Sequence, residues 1–518
     1  MDTVNKRTDD DIEIIGDYAA ESEIRKYFAG KTVFLTGSTG FMGKCLTEKL
    51  LRGCPDLKKM YVLVRPKKGS TAEERIKKYL DDVLFSTVRE MYPDCASKIH
   101  LIEGDLMLDG MGLSETDKNT MMDEVNIVYH NASNVKFNER MSSVLKINVL
   151  GTKAMLDFAQ QCKRIEGFLY VSTAFSHCYH TNIMEEAYPS PADLKMVQDL
   201  ITADLASPTG ISESVLPTIL GKFPNTYAFT KAIAEGLVTD ANEQVSFPCI
   251  VYRPSIVLST WKEPIRGWAG NLNGPAMLFI GYGLGLIHVA IKGDTKQDFI
   301  PVDMSINSML VLMWHAVKHR SSERRPLVYN YGCSSVNPIS LRGLDTLMPR
   351  QANGILLYPS IYQIWHTFVI YTDNVVVFAI LFVLLHGVPA ILVDLYLFLK
   401  GKKLQALSAL RKAALSWRVL LYFLSTEWRI DISEMNKVVD RMSPVDRKLF
   451  FCDVRKIDWA DYSKDYAVGL RTYILKEPMS TWPAARRKAN ILKATHYTLT
   501  CAFILLMVYV IATKLGLL

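Results

Sequence analysis

The segment from Lys31 to Gly43, KTVFLTGSTGFMG, constrains the fold more than any other part of the sequence. Its apolar run ends at Thr36 and is followed by glycines at Gly37, Gly40 and Gly43. A β-strand that ends there would enter a tight turn, where glycines let backbone N–H groups approach a pyrophosphate and let the next helix pack closely. The GxxGxxG spacing differs from the usual GxGxxG, and an ordinary turn is the alternative. We interpret the segment as a nucleotide-binding loop.

The second apolar run, from Met60 to Val64, leads directly into the basic residues Arg65, Lys67 and Lys68. In a doubly wound sheet, the end of the second strand meets the adenosine ribose of a bound dinucleotide. An acidic residue there binds the 2′-hydroxyl of NAD, whereas Arg and Lys neutralise the 2′-phosphate of NADP. The sequence therefore predicts NADPH as the cofactor, with a merely solvated basic loop as the alternative.

Three further apolar runs end in small or polar residues, as parallel strands do beside a ligand. A third strand over 99–103 leads to Asp105, which could contact the adenine amino group or cap a turn. A fourth strand over 126–129 is followed by His130, Asn131 and Ala132, and we interpret His130 as structural rather than catalytic. The other predicted elements are a helix over 44–52, a helix from a capping box at Ser70–Glu73 to about Leu84, a helix over 141–163 and a fifth strand over 167–171.

A tyrosine and a lysine lie four residues apart in the segment PNTYAFTKAIAE, which Pro224 and Asn225 begin as a helix. Tyr227 and Lys231 would therefore share one helix face. A Lys ammonium favours the phenolate, so we expect it to lower the pKa of Tyr227 and to make this residue an acid towards a carbonyl oxygen. Thr173, or less favourably Ser172, at the end of the fifth strand would hydrogen-bond the same oxygen. A helix with an incidental Tyr and Lys is the alternative.

Together these segments resemble the extended short-chain dehydrogenase/reductases and, more narrowly, the animal (insect-type) fatty acyl-CoA reductases. The resemblance runs from about Gly30 to Pro483 and rests on segments in the same order along the chain: VFLTGSTGFMGK, YVLVRPKKG, YVSTAF, NTYAFTKAIAE, VYRPSIV, FIPVDM and FFCDVRKIDWADYSKDYAVGLRTYILKE. It implies an α/β fold, in which a doubly wound parallel-sheet Rossmann domain precedes a mainly helical C-terminal domain and a C-terminal membrane helix.

The resemblance also implies an activity: the NADPH-dependent reduction of a long-chain fatty acyl-CoA to a primary alcohol, through an aldehyde and with release of CoA. The resemblance further implies that Tyr227 is the acid, that Lys231 supports it, and that Thr173 or Ser172 binds the carbonyl oxygen. Two other classes stay open: a membrane-associated dehydrogenase or epimerase of the same superfamily that acts on a sterol or nucleotide-sugar, and a non-catalytic lipid-binding protein. The cofactor would contact Thr36, Gly37, Ser38, Thr39, Gly40, Phe41, Gly43, Arg65, Lys67, Asp105, Leu106, Asn131, Ala132, Lys231, Pro254 and Ile256.

The length of 518 residues exceeds what one hydrophobic core usually supports, so more than one folded unit is expected. We predict an N-terminal tail over 1–28, disordered up to about Glu21 because its start is acidic and lacks an apolar core. A reductase domain over 29–340, a C-terminal domain over 341–483 and a transmembrane segment over 494–518 follow.

Two apolar segments predict contact with a membrane. Residues 497–513 carry no charge, are just long enough to cross a bilayer, and are preceded by more basic residues than follow them. This pattern predicts a tail anchor on the endoplasmic reticulum, or alternatively the peroxisome, with the catalytic domain in the cytosol. Residues 375–399 are interrupted by His386, Gly387, Pro389 and Asp394, which leaves an interfacial or re-entrant hairpin and a buried helix pair as equal alternatives.

Composition narrows the remaining classes. The net charge of +7 is small for this length, so no nucleic-acid partner is implied. The nine cysteines form no C-x-x-C pair and no His/Cys spacing typical of zinc, which predicts a reducing compartment and no metal site. The predicted partners are the acyl-CoA substrate that the resemblance implies and a lipid bilayer.

Overall fold

The computed structural model describes residues 21–65, 69, 71–136, 139–272, 274–320, 326–348 and 359–515. Its main sheet contains seven parallel strands in the order β3-β2-β1-β4-β5-β6-β7. The order reverses between β1 and β4, which is the point where a doubly wound sheet binds its ligand. This topology confirms the predicted Rossmann fold. The strands are β1 (Thr32–Thr36), β2 (Lys59–Val64), β3 (Ile99–Glu103), β4 (Ile127–His130), β5 (Gly167–Val171), β6 (Cys249–Pro254) and β7 (Leu327–Tyr331).

Most of these strands are short, continuous apolar runs because helices cover the sheet. Every residue of β1, β4, β5 and β6 is buried. The main helices of the same unit are Phe41–Gly53, Ala72–Leu80, Ser86–Met91, Glu115–Glu124, Met141–Leu145, Lys146–Leu150, Gly151–Gln161, Leu194–Leu205, Leu216–Leu220, Thr226–Gln244, Val302–Lys318, Ser433–Asp440 and Pro444–Leu449.

The helix after β2 begins later and ends earlier than the sequence predicted. Ser70 lies outside the described residues, and the capping box is formed by Thr71 and Glu74 instead. The Thr71 hydroxyl accepts a hydrogen bond from Glu74 N at 3.2 Å, and the Glu74 carboxylate accepts one from Thr71 N at 3.1 Å. The helix ends at Leu80, since Asp82 then caps a separate short 3₁₀ turn.

The molecule consists of two compact units. Each unit combines separate segments of the chain, whereas the predicted domains were contiguous. The reductase unit comprises the chain up to 266 together with 298–338 and 428–457, and the C-terminal unit comprises 267–297, 339–427 and 458–518. Residues 428–457 belong to the reductase unit because Arg429–Ile430 pairs with Asn182–Ile183 and the Tyr331 hydroxyl donates to Cys452 O at 2.8 Å. Such pairing between distant segments leaves no local trace in the sequence.

Residues 21–28 also belong to the reductase unit rather than to a tail. The helix Glu23–Phe28 begins at Ser22 and buries both Ile24 and Phe28. The Ser22 hydroxyl donates to the Asp446 carboxylate at 2.5 Å. The start of the reductase fold therefore lies several residues before the predicted boundary at 28.

The C-terminal unit is mainly helical, as predicted. It contains the apolar helix (Val375–Leu399), the return helix (Ala406–Ser425) and the tail helix (Trp482–Lys514). Two small strand pairs hold this unit together, Val289–Ile291 with Ile370–Thr372 and Lys296–Gln297 with Ile339–Ser340. Its other helices are Gly274–Gly283, Leu341–Leu347, Trp459–Gly469 and Leu470–Ile474.

Two helices of the described chain are long and apolar enough to cross a membrane, Val375–Leu399 and Met479–Lys514. Only 6% of the most apolar window of the first helix is buried, and none of that of the second. The alternative of a buried helix pair at 375–399 is therefore wrong.

Candidate active site

The glycine loop after β1 is packed so closely that side chains cannot enter it. Gly37 has a φ of +72°, and a Cβ atom there would lie 2.7 Å from Ala132 N. A Cβ atom on Gly43 would lie 2.1 Å from Gly37 O. Because the helix Phe41–Gly53 begins directly after Gly40, the N–H groups of its first turn and the positive end of its dipole lie at the loop.

Ser38 places a polar atom inside this loop. Its Oγ is buried, and none of the described residues hydrogen-bonds it. Its carbonyl oxygen accepts a hydrogen bond from the Tyr79 hydroxyl at 3.0 Å, which fixes the loop, while Thr39 is exposed at the tip. A buried hydroxyl beside the N-terminal end of a helix suits a phosphate oxygen. The loop thus fits the pyrophosphate of a dinucleotide.

A buried histidine connects the ends of β1 and β4. His130 Nδ1 lies 2.8 Å from Thr36 Oγ1, and its Nε2 lies 3.0 Å from Thr152 Oγ1. Burial, together with the charge of Lys231, lowers the pKa of His130 to about 3, so the ring is neutral at physiological pH. With both ring nitrogens engaged by hydroxyls, His130 has the structural role that the sequence predicted.

Asn131 and Ala132 complete this edge of the sheet. Ala132 N donates to Thr36 Oγ1 at 3.2 Å, and Asn131 Nδ2 lies 3.5 Å from Gly37 O. The structure therefore brings together the candidate cofactor residues of β1, the glycine loop and β4.

The end of β2 carries the positive charge expected beside the adenosine ribose. Arg65 is exposed there, and its carbonyl oxygen accepts a hydrogen bond from Arg75 Nη2 at 2.8 Å. Arg75 also forms an ion pair with Glu103 at 2.8 Å. Lys67 and Lys68 lie outside the described residues. The sequence analysis did not include Arg75 among the residues at the end of β2, although it lies in the helix that follows this strand.

At the end of β3, Asp105 caps a turn. Its Oδ1 accepts a hydrogen bond from Met107 N at 3.0 Å, and its own N–H donates to Met111 O at 2.8 Å. Leu106 is buried beside it. The turn-capping alternative therefore describes the structure, and the contacts of Asp105 and Leu106 with a cofactor stay predictions.

Tyr227 and Lys231 lie on successive turns at the start of the catalytic helix, Thr226–Gln244. Asn225 begins this helix, because its Oδ1 accepts a backbone N–H of the first turn at 2.8 Å. Tyr227 is partly exposed and Lys231 is buried. Lys231 Nζ lies 6.0 Å from the centre of the Tyr227 ring and donates to Val171 O, at the end of β5, at 2.7 Å.

The pKa of Tyr227 differs from the sequence-based expectation. Burial, and then the negative charge of Glu235, raise the pKa of Tyr227 above its usual value. Burial lowers the pKa of Lys231 to about 7, although Glu235 opposes this shift. The predicted lowering of the Tyr227 pKa is therefore wrong, because desolvation and the charge of Glu235 both raise this pKa. The phenol consequently keeps its proton at neutral pH, which is the form that an acid needs.

The two candidates at the end of β5 point to different partners. The Ser172 hydroxyl donates to the buried carboxylate of Glu235. Thr173 Oγ1 accepts a hydrogen bond from Phe175 N at 3.2 Å, which leaves its own proton available to another acceptor. Of the two, Thr173 is the better candidate for binding a carbonyl oxygen.

Behind these residues lies a buried ion pair that sequence reasoning missed. Arg253 Nη2 donates to Glu235 Oε2 at 2.6 Å, and its Nε lies 3.1 Å from both carboxylate oxygens. Arg253 Nη1 donates to the carbonyl oxygens of Met184 and Glu186 at 3.1 Å, and His177 Nε2 lies 3.3 Å from Glu235 Oε2. Burial alone would raise the pKa of Glu235, but Arg253 holds it well below its usual value. Glu235 is therefore ionised.

The sequence contains a separate signal for each residue of this ion pair. Glu235 follows Lys231 by four residues in the segment TKAIAE, which repeats the spacing between Tyr227 and Lys231. Arg253 directly precedes Pro254 in the segment VYRPSIV. Neither signal identifies the partner, because the two residues are joined only when the catalytic helix packs beside β6.

Pro254 and Ile256, the last candidate cofactor residues, lie at and just beyond the end of β6. The carbonyl oxygen of Pro254 accepts a hydrogen bond from Ala174 N at 2.9 Å. Ile256 N donates to Asp298 O at 3.1 Å. Pro254 is thereby tied to the residues that follow β5, next to Thr173.

The class of protein follows from this arrangement. A Tyr-x-x-x-Lys helix, a glycine loop at the switch point and a seven-stranded parallel sheet define an extended short-chain dehydrogenase/reductase, a class that binds a nicotinamide dinucleotide. Residues 35–309 match a family model described as "Male sterility protein", and residues 385–477 match a second model with the same description.

Individual relatives are similar along almost the whole chain. The sequence is 34% identical to human fatty acyl-CoA reductase 1 over 490 residues, which cover 93% of this chain and 92% of that protein. It is 32% identical to the fatty acyl-CoA reductase wat of Drosophila melanogaster over 512 residues, 96% of this chain and 94% of that one. The chain therefore belongs to the fatty acyl-CoA reductase family.

A solved structure supports the fold independently. The reductase (R) domain of a non-ribosomal peptide synthetase from Mycobacterium tuberculosis superposes with a TM-score of 0.57 at 19% identity, over 89% of this chain and 96% of that one. At this identity the likeness concerns the fold alone.

The different contacts of the two β5 residues predict different effects of their substitution. If Thr173 binds the carbonyl oxygen, Thr173→Ala removes a hydrogen-bond donor to the developing oxyanion and should lower kcat by about 10²-fold with little change in Tm. Ser172→Ala removes a donor to Glu235, so it should lower the free energy of unfolding by about 1–3 kcal/mol with a smaller effect on kcat. Steady-state kinetics and thermal unfolding of both variants check this. A larger kcat loss in Ser172→Ala, at unchanged Tm, would reverse the assignment.

Proposed function

We propose that this protein reduces a long-chain fatty acyl-CoA to the primary alcohol, with NADPH as the reductant and with release of CoA. The observation that carries the proposal is the contact of Lys231, on the helix of Tyr227, with the last carbonyl oxygen of β5, two residues before Thr173. The glycine loop follows β1 at the same edge of this sheet, in a chain of the fatty acyl-CoA reductase family. Relatives with that name cover more than nine tenths of the sequence.

The residues that would hold the cofactor are those of the glycine loop and the neighbouring strand ends. The buried Ser38 Oγ and the tight glycine turn at Gly37 and Gly43 fit its pyrophosphate. Lys231 Nζ, buried at the end of β5, would bind the ribose next to the nicotinamide. When bound, NADPH supplies the hydride for each reduction.

Tyr227 and Thr173 act on the carbonyl oxygen of the thioester. Negative charge develops on this oxygen as the carbonyl carbon is reduced. Tyr227, which keeps its proton at neutral pH, donates it to that oxygen, and the transfer is favourable because an alkoxide is a stronger base than a phenolate. The Thr173 hydroxyl hydrogen-bonds the same oxygen, and the Lys231 ammonium stabilises the phenolate left on Tyr227.

The full reaction needs two reductions. The first product is a hemithioacetal, whose C–S bond breaks as its hydroxyl proton leaves, so that an aldehyde and the CoA thiolate form. The aldehyde presents the same kind of carbonyl oxygen to Tyr227 and Thr173, which serve again in its reduction to the alcohol. One acyl-CoA, two NADPH and two protons therefore give one alcohol, one CoA thiol and two NADP⁺.

Product analysis tests this proposal. The purified full-length protein is incubated with NADPH and a series of acyl-CoA esters, and alcohol, free thiol and NADPH are measured. We expect one thiol and two oxidised cofactors for each alcohol. Turnover of a sterol or a nucleotide-sugar without acyl-CoA reduction would overturn the proposal in favour of another superfamily activity. Absence of any turnover alongside lipid binding would favour a non-catalytic protein.

The preference for NADPH rests on the charge at the end of β2. Arg65→Ala should raise the KM for NADPH by about 10- to 100-fold, since a charge-assisted contact contributes roughly 1.5–3 kcal/mol, and should change the KM for NADH much less. Lys78→Ala removes an exposed charge from the following helix and serves as the control. Equal losses with both cofactors in Arg65→Ala would mean that this residue does not bind the 2′-phosphate.

The role of Tyr227 predicts a separation of binding from turnover. Tyr227→Phe should leave the Kd for NADPH and the Tm close to those of the unchanged protein and should lower kcat by at least about 10²-fold, because it removes only the donated proton. Cofactor fluorescence and single-turnover kinetics measure the two effects. Tyr92→Phe, outside the site, is the matched control. Alcohol formation at a near-normal rate in Tyr227→Phe would show that another group is the acid.

We also propose that the tail helix anchors the protein in the membrane of the endoplasmic reticulum, or alternatively of the peroxisome, with the reductase unit in the cytosol. Four basic residues precede its uncharged stretch and a single lysine follows it, which favours a cytosolic start. The basic residues are Arg486, Arg487, Lys488 and Lys493, and the following one is Lys514.

This orientation predicts how protease reaches the two ends of the chain in sealed membranes. An epitope placed before Met1 should be digested, whereas one placed after Leu518 should be protected until detergent is added. Immunoblots of both tagged proteins measure this. Digestion of both epitopes without detergent would show that the tail does not cross the bilayer.

A further inference from the structure

The apolar helix of the C-terminal unit has an uncovered outer face. One side, at roughly helical spacing from Phe378 to Leu397, is partly buried. The opposite side carries large apolar residues that are each more than half exposed, whereas a helix that faces water is normally polar there. These residues are Val376, Ile380, Val383, Leu384, Ile391, Leu392 and Leu395.

The middle of this helix is fixed to the folded unit. His386 lies near the centre of its 25 residues, and its Nε2 accepts a hydrogen bond from His288 N at 3.1 Å. The two rings also stack at 5.8 Å. In a helix that crossed a bilayer, His386 would sit at the centre of the hydrocarbon and would bring the backbone before strand Val289–Ile291 with it. Backbone outside a helix or barrel is excluded from lipid. The helix therefore lies along the unit.

The same point lies close to the middle of the tail helix, where its uncharged stretch begins. The His288 ring stacks on Phe368 at 4.3 Å, and Phe368 lies 5.0 Å from the ring of His496. Trp365 Nε1 also donates to His496 Nδ1 at 3.2 Å. His496 directly precedes the uncharged stretch that begins at Tyr497. If that stretch enters a bilayer, the surface of the bilayer passes beside the middle of the apolar helix.

The apolar helix and the return helix form a helical hairpin, and the chain segments at both of its ends contact Lys292. Lys292 N donates to Thr372 O, three residues before the apolar helix, at 2.9 Å. Lys292 Nζ donates to Ser425 O, at the end of the return helix, at 3.3 Å. The chain then continues directly into Arg429–Ile430, a strand of the reductase unit. The hairpin therefore starts and finishes on the side of the membrane that holds the reductase unit.

The turn of the hairpin is cationic and ordered. Asp394 accepts hydrogen bonds from the N–H groups of Gln405, Ala406 and Leu407 at 2.9, 2.9 and 3.0 Å and so begins the return helix. The turn itself exposes the lysines, which favour anionic headgroups. Two crossings would instead bury the charges of the return helix in hydrocarbon, at about 2.5–3.5 kcal/mol each. The turn lysines are Lys400, Lys402 and Lys403, and the charges of the return helix are Arg411, Lys412 and Arg418.

We propose that the apolar helix is an in-plane membrane anchor. It lies at the boundary between headgroups and acyl chains in the leaflet that faces the reductase unit, and its lysine turn stays on that side. The occupant of the uncovered face is thus a lipid bilayer that contains anionic lipid. The proposal adds a second membrane contact to the tail helix and does not depend on the substrate of the enzyme.

A depth measurement tests the proposal. Single cysteines replace Val376, Leu384 and Leu395 in the full-length protein carrying Cys501→Ala, because the other eight native cysteines are buried. Each is labelled with an environment-sensitive fluorophore in vesicles of phosphatidylcholine and phosphatidylserine that carry nitroxides at a shallow or a deep acyl carbon. An in-plane helix predicts stronger quenching by the shallow nitroxide at all three sites. Deep quenching confined to Leu384→Cys would show a spanning helix and overturn the proposal.

A labelling experiment tests the side on which the turn lies. Lys402→Cys should react with a membrane-impermeant maleimide in sealed vesicles as readily as Lys195→Cys of the reductase unit. Reaction of Lys402→Cys only after permeabilisation would contradict the proposal.

Controls separate lipid from the other possible occupants. Each cysteine variant should keep the cofactor affinity of the unchanged protein, which shows that it is folded without relying on the identity of the substrate. Quenching of the three labels by aqueous iodide rather than by lipid nitroxides would show that the face is in water. Cross-linking of Leu384→Cys to a second copy, with no nitroxide quenching, would show that another protein molecule covers it. Either result would overturn the proposal.

Discussion

The catalytic edge of this enzyme depends on one buried ion pair, Glu235 with Arg253. A buried carboxylate is destabilising unless it is paired and hydrogen-bonded. Arg253 makes three hydrogen-bond contacts with the Glu235 carboxylate. Its Nη1 group donates to two backbone carbonyl oxygens. The pair joins the catalytic helix to β6, and the Ser172 hydroxyl joins it to β5. One fixed negative charge thus orders three elements and opposes the loss of charge from Lys231, the residue that we propose supports the acid.

The glycine loop and the ends of β1 and β4 are held in place by backbone packing and neutral hydrogen bonds rather than by charge. Gly37 and Gly43 allow approaches that a Cβ atom would block, and the hydroxyl of Thr36 and the ring of His130 tie the ends of β1 and β4 together. The two edges meet where Lys231 donates to the last carbonyl of β5. The glycine loop and the proposed acid site therefore lie along one edge of the sheet, so the same side chains can serve in both proposed reductions.

The sequence predicted the elements whose signals are local. Apolar runs located the strands, three glycines located the loop, and the spacing of Tyr227 and Lys231 placed both on one helix face. It failed where distant segments meet: residues 428–457 join the reductase unit, and Glu235 finds Arg253 only in the folded protein. The expected pKa of Tyr227 was wrong because burial and Glu235 raise it, and the extent of burial is determined only when the chain folds.

The most direct test of the central claim is the pH dependence of kcat/KM in variants of Glu235. In the proposed mechanism, reduction requires the Lys231 ammonium. Since its pKa is lowered to about 7, activity should fall as the pH rises through that value. Glu235→Gln removes the charge that raises this pKa, so the alkaline limb should move to lower pH, whereas Glu235→Asp, which keeps the charge, should leave it near its original position. An unchanged alkaline limb in a folded Glu235→Gln variant that still binds NADPH would contradict the account.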